Sequence, residues 1–157
     1  MLGSFAVGKS SLVRRFVESI FSENYHTTVG VKIDKKVVVV DDKEFKLVLW
    51  DMYGDDDFQK MRWSNLGGAS GYLLVADGTR RATLEKAIAL EQRAREERGS
   101  LPFVFVINKS DLAEEWELEP EMEARYAAMN WTVLRSSAKT GEGVEEAFLQ
   151  LTRKIVS

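Results

Sequence analysis

The order of hydrophobic patterns predicts an α/β fold with a mainly parallel sheet. Residues 71–76 and 103–107 are short, almost unbroken apolar runs, the pattern of strands covered on both faces. Residues 82–98 between them have the length and charge of a surface helix, so strand, helix and strand alternate as in parallel units.

Each element has its own signal. Residues 9–20 carry a helical period, with Leu12, Phe16 and Ile20 on one face. The polar stretch 22–28 is expected to be a loop. Residues 36–40 and 45–50 are expected as strands joined by Asp41-Asp42-Lys43 in an antiparallel hairpin. Gly99 is a natural end for helix 82–98, whose charged run faces solvent while Leu84, Ile88 and Leu90 bury it. Residues 131–134 give a last strand and 144–155 a last amphipathic helix. Trp116 and Trp131 carry no motif, and packing is their expected role. With no internal repeat or linker, residues 1–157 are expected to be a single domain.

Composition narrows the function. Hydrophobic residues at 45% and charged residues at 30% give a globular chain, and the net charge of −3 without a basic face argues against nucleic acid as a partner. There is no cysteine, which excludes disulfides, thiol chemistry, prenylation and palmitoylation of this sequence. A single histidine leaves no structural zinc site. No apolar run reaches membrane-spanning length, and neither a signal peptide nor a myristoylation glycine opens the sequence. The expectation is a cytoplasmic protein with no direct membrane anchor in this chain, recruited by something else if it works at a membrane.

Gly3-Ser4-Phe5-Ala6-Val7-Gly8-Lys9-Ser10 matches the phosphate-loop pattern G-x-x-x-x-G-K-[ST] at every fixed position. The glycines let the backbone curl so that N–H groups of Phe5, Ala6, Val7, Gly8, Lys9, Ser10 and Ser11 converge on phosphate oxygens. The helix starting near Lys9 adds the positive end of its dipole. Lys9 is expected to neutralise the β- and γ-phosphates, and the Ser10 hydroxyl to ligate Mg²⁺.

Asn108-Lys109-Ser110-Asp111 follows the second apolar run, at a strand end where open α/β sheets bind ligands. The Asp111 carboxylate can accept hydrogen bonds from N1–H and the 2-amino group of guanine, a pair of donors adenine lacks in that arrangement. Asn108 can bridge base and phosphate loop, and the aliphatic stem of Lys109 can cover the ring. After the last strand, Ser136-Ser137-Ala138-Lys139 offers the Ala138 N–H to guanine O6. The three segments together, in this order, specify a guanine nucleotide, GTP or GDP, more sharply than any one alone.

These motifs, with Tyr25-His26-Thr27-Thr28-Val29-Gly30 and Trp50-Asp51-Met52-Tyr53-Gly54, make the chain resemble a Ras-superfamily small GTPase, closest in texture to the Rab branch, over essentially its whole length. The resemblance implies the P-loop small-GTPase fold, a mostly parallel six-stranded sheet flanked by helices. It also implies roles for individual residues. Thr28 would close on Mg²⁺ and the γ-phosphate, Asp51 would hold a Mg²⁺-bound water, and the Gly54 N–H would contact the γ-phosphate. Phe21 would lie edge-on to guanine, Tyr25 would cover the phosphates, and Ser137, Ala138 and Lys139 would complete the base pocket. Segments around Thr28 and after Gly54 would order on GTP and relax after hydrolysis, presenting a surface to effector and regulator proteins.

Four departures stand against that pattern. Asp55 replaces the glutamine that positions the attacking water; a carboxylate accepts from water but cannot also donate to the transition state. With Asp56 and Asp57 it adds charge near phosphates, unless all three turn to solvent. Phe5 stands where the family has a small residue, blocking an arginine finger or packing beneath the segment of Tyr53. Of the aromatic trio that Rab effectors read, only Trp50 is present, with Ile33 and Asn65 at the other positions, so a different partner surface, including Trp63, is expected. Finally, only Met1 and Leu2 precede Gly3, so the first strand is expected to be largely absent, through a shortened chain, a misplaced start or a strand supplied by a neighbour.

The reading is a Mg²⁺-dependent switch that hydrolyses GTP slowly, with Lys9, Thr28, Gly54 and Asp55 at the reacting end. A nucleotide-binding interaction module without turnover is the alternative. A P-loop kinase for a small molecule leaves Asn108, Asp111 and Thr28 without a purpose. His26 is expected to be a solvated loop residue.

Overall fold

The structure is a computed structural model that describes residues 1–18, 32–51 and 67–157. The strands are β1 (Leu2–Gly3), β2 (Lys32–Val40), β3 (Lys43–Asp51), β4 (Tyr72–Asp77), β5 (Phe103–Asn108) and β6 (Val133–Ser136). The helices are α1 (Lys9–Glu18), α2 (Arg81–Arg98), α3 (Pro120–Ala128) and α4 (Val144–Val156). The expected α/β architecture is present.

A parallel sheet in the order β1-β4-β5-β6 forms the centre, and β2 and β3 form an antiparallel pair. The six expected strands thus divide into four and two. The joint falls at β1, whose two residues pair, among the described residues, with Leu74 and Val75 of β4. The Met1 amino group donates to the Trp50 carbonyl at 2.9 Å, carrying one contact across to β3.

β4 and β5 are buried almost throughout, as their unbroken apolar runs require. Their alternate side chains feed two cores. On one face Leu74, Ala76, Phe105 and Ile107 pack with Leu84, Ala87 and Leu90 of α2 and with Met122 and Tyr126 of α3. On the other, Leu73, Val75, Val104 and Val106 pack with Leu12, Val13 and Phe16 of α1 and with Phe148 of α4. Phe16 and Phe148 stack at 4.0 Å between centroids. The result is three layers with the sheet in the middle.

Several boundaries differ from those expected. β2 begins at Lys32 rather than at residue 36, because Ile33, Asp34 and Lys35 pair in register with Trp50, Leu49 and Val48. Lys43 is already in β3, so the turn is only Asp41-Asp42, both at positive φ (51° and 62°), as a two-residue hairpin turn demands. β6 lies two residues later than residues 131–134, since the Trp131 N–H donates to the Tyr126 carbonyl and its ring stacks on Tyr126. Trp131 therefore closes an aromatic cluster with Phe103 and Phe105 before the ladder begins. Helix α3, which the sequence reading missed, starts with Pro120 in its first turn, and buries Met122 and Tyr126 four residues apart.

Candidate functional site

The site gathers at the C-terminal ends of the parallel strands. The phosphate loop leaves β1 at Gly3 and enters α1 at Lys9. Gly8 adopts φ +101°, and a Cβ there would stand 2.3 Å from Asn108 Nδ2, so only glycine fits. Ala6 also has positive φ, 61°, earlier in the same loop. Lys9 is 5% exposed, and its Nζ donates to the carbonyls of Gly3 and Ser4 at 3.0 Å each. Its charge therefore lies within the loop, where Lys9 was expected to meet phosphate.

Ser10 Oγ donates to Asp51 Oδ2, joining the first turn of α1 to the end of β3. A hydroxyl and a carboxylate side by side are hard oxygen donors of the type Mg²⁺ takes. Asp51 is 1% exposed. Ser11 follows in the same turn of α1, half-buried.

Asn108 is the junction between the phosphate loop and the base segments. Its Nδ2 donates to the Val7 carbonyl at 3.0 Å, a contact with the loop half of the bridge expected of it. Its Oδ1 accepts from Ser136 Oγ at 3.1 Å and from the Ala138 N–H at 3.3 Å. The Ala138 amide, expected to face guanine O6, thus donates to Asn108. Asp111 Oδ1 accepts from Ser137 Oγ at 2.7 Å, which fixes the carboxylate expected to read guanine. Ser137 Oγ also accepts from the Thr140 N–H at 3.0 Å, tightening the turn that follows β6.

Sequence reasoning missed the residues that support these. Arg15 Nε donates to the Ala138 carbonyl at 2.8 Å, and its Nη2 donates to the Lys139 carbonyl, so α1 clamps the last base segment. Asp77, fully buried at the end of β4, lies 2.8 Å from Lys109 Nζ and accepts from the Thr79 N–H and hydroxyl. Lys109, whose stem was expected to cover the ring, is anchored to this strand end by its ammonium. The one available signal for Asp77 was a carboxylate closing an apolar run. Arg80 Nη1 donates to the Phe5 carbonyl at 2.9 Å, and the Phe5 side chain is 37% exposed.

Phe21, Tyr25, His26, Thr28, Tyr53, Gly54, Asp55, Asp56, Asp57, Trp63 and Asn65 lie outside the described residues. Among the described residues, no helix is long and apolar enough to cross a membrane.

The phosphate loop and the two base segments therefore converge on one side chain, Asn108. The family model for the Ras family matches residues 1–157. The chain belongs to the Ras family. It is similar to the Ras-related protein Rab-4B of Homo sapiens, Rattus norvegicus and Mus musculus. Identity to each is 38% over 161 residues, spanning 100% of this chain and 75% of the relative. This Ras-family protein is accordingly a Rab-like, GTP-binding switch of the small-GTPase fold, and a GTP hydrolase.

Proposed function

We propose that this Ras-family protein binds GTP or GDP with Mg²⁺ through the residues named above and hydrolyses GTP slowly. The observation that carries the assignment is Asn108, which opens the first base segment and whose amide holds the phosphate loop through Val7 and the second base segment through Ser136 and Ala138. Asp111 would accept from guanine N1–H and the 2-amino group. The N–H groups of residues 5–11 would hold the phosphates, with Phe21 and Tyr25 lining the nucleotide and Lys139 closing the base pocket.

Ser10 and Thr28 would ligate Mg²⁺, and Asp51 would hold one of its waters; the Ser10–Asp51 contact supports this placement. When bound, Mg²⁺ offsets charge on the β- and γ-phosphates. Lys9 would exchange the loop carbonyls for phosphate oxygens, and Gly54 would donate its N–H to the γ-phosphate. In hydrolysis, water attacks the γ-phosphorus, the bond to the β-phosphate oxygen breaks, and GDP and phosphate leave. Asp55 would accept from that water, yet cannot donate to the transition state, which is why turnover is slow. Ile33 and Trp50, cross-strand neighbours 49% and 44% exposed, would form part of an effector surface distinct from an aromatic trio. The protein would work in the cytoplasm.

Single-turnover hydrolysis of preloaded GTP with Mg²⁺, beside an Asp55→Gln variant, tests this. A slow wild type accelerated by Asp55→Gln supports a switch with a weakened water-positioning step. A wild type as fast as a typical family member overturns slow turnover. Tight GTP binding without turnover in either protein would mean an interaction module instead.

A further inference from the structure

Trp116 follows the 3₁₀ turn Ser110–Glu115, immediately after the base-reading segment. Its indole Nε1 donates to the Lys109 carbonyl at 2.8 Å, and the Leu112 N–H donates to the same oxygen at 2.9 Å. Lys109 has φ +73°, a left-handed conformation that a side-chain-bearing residue keeps only where its surroundings over-determine it. Two donors on its carbonyl and the ion pair of its ammonium with Asp77 do so.

The indole is itself fixed. A Cβ on Gly78 would come within 2.2 Å of Trp116 Cε2, so the ring occupies the space that glycine leaves. The Arg135 guanidinium lies over the ring, 5.1 Å from its centroid, and is held by Glu123 at 2.8 Å. The Gly78 N–H donates to the Asn108 carbonyl at 3.1 Å, and the Gly78 carbonyl accepts from the Glu117 N–H at 2.7 Å. A closed circuit thus runs from Asn108 through Gly78 and residues 116–117 back to Lys109.

We propose that Trp116 is a positioning residue for guanine recognition: through the Lys109 carbonyl it fixes the turn that aims Asn108 and Asp111 before nucleotide arrives. This rests on the base-pocket assignment given under Proposed function. Removing the indole N–H lets Lys109 relax toward right-handed backbone and loosens the Asp111 carboxylate. The loss falls on the base contact, since the phosphate loop keeps its own geometry.

The test compares release of GDP and of inosine diphosphate, which lacks the 2-amino group, from wild type and Trp116→Phe, both checked for folding by circular dichroism. Trp116→Phe is expected to speed GDP release about tenfold, the scale of one lost hydrogen bond in a pre-organised site, and inosine diphosphate release no more than about twofold. Trp116→His, whose Nε2 can take the place of the indole nitrogen, is expected to recover part of the GDP effect. Unchanged GDP release in Trp116→Phe overturns the proposal, as does an equal acceleration for both nucleotides, which means general loosening. Wild type that fails to prefer GDP over inosine diphosphate would instead overturn the base-pocket assignment itself.

Discussion

Arg80 reaches from the turn before α2 to the backbone of Phe5, its Nη1 donating to the Phe5 carbonyl at 2.9 Å. The bond ties the crest of the phosphate loop to the end of β4, from an arginine on the rim of the site. A side-chain bond of this kind contributes about 1 kcal/mol, a factor of about five in an equilibrium. Arg80→Ala is therefore expected to speed release of a fluorescent GDP analogue roughly three- to tenfold. An unchanged rate would show that the loop holds its shape without the tie.

Gly8→Ala meets two obstacles at once, a φ of +101° and a contact of 2.3 Å with Asn108 Nδ2. Relieving them breaks the Asn108–Val7 bond and turns loop amides away from phosphate. The strain is on the order of 1–3 kcal/mol. Calorimetry with GDP is expected to show affinity reduced by at least about tenfold, while the far-ultraviolet circular dichroism spectrum stays as in wild type.

Asn108→Ala removes one amide that serves Val7, Ser136 and Ala138. Each buried group left without its partner costs about 1–3 kcal/mol. The expected result is a fall in GDP affinity beyond about a hundredfold, larger than for Arg80→Ala, together with a lower melting temperature without nucleotide. Equal melting temperatures for variant and wild type would show that Asn108 does not join the two segments.

Alkaline stability carries a signature of the core. Burial pushes the Tyr126 phenol up to about 12, and burial, aided by the Glu91 carboxylate, raises that of Tyr72 further. In the unfolded chain both ionise near pH 10. Between pH about 10 and 12 the unfolded state therefore holds fewer protons than the native one, and stability falls as pH rises. Urea titrations across that range are expected to show the decline, and Tyr126→Phe is expected to flatten it. Near neutrality the same variant loses roughly 1 kcal/mol, because the Tyr126 hydroxyl no longer donates to the Leu84 carbonyl.

The strands of the central sheet were legible because being buried on both faces leaves an unbroken apolar run, as in 103–107. Gly8, Lys9, Asn108 and Asp111 were legible because phosphate and guanine each demand particular donors at fixed spacing. Asp77, Arg15 and Trp116 were not, because what gives each its role is a partner distant in sequence or a backbone carbonyl, neither of which leaves a local pattern. Helix α3 was missed for a related reason: it buries only Met122 and Tyr126, too few positions to declare a period. β6 was displaced because Trp131 looks like a strand residue yet belongs to an aromatic cluster with Tyr126.

The β2–β3 hairpin closes its register with Lys32 opposite Asp51. The stretch of sequence containing Thr28 arrives at the first of these residues, and the stretch containing Gly54 departs from the second. Lys32 and Asp51 therefore share the last rung of one nine-residue ladder, at the end opposite its two-residue turn. The residue whose carboxylate Ser10 holds thus stands opposite Lys32, and the first turn of α1 meets the hairpin at its open end.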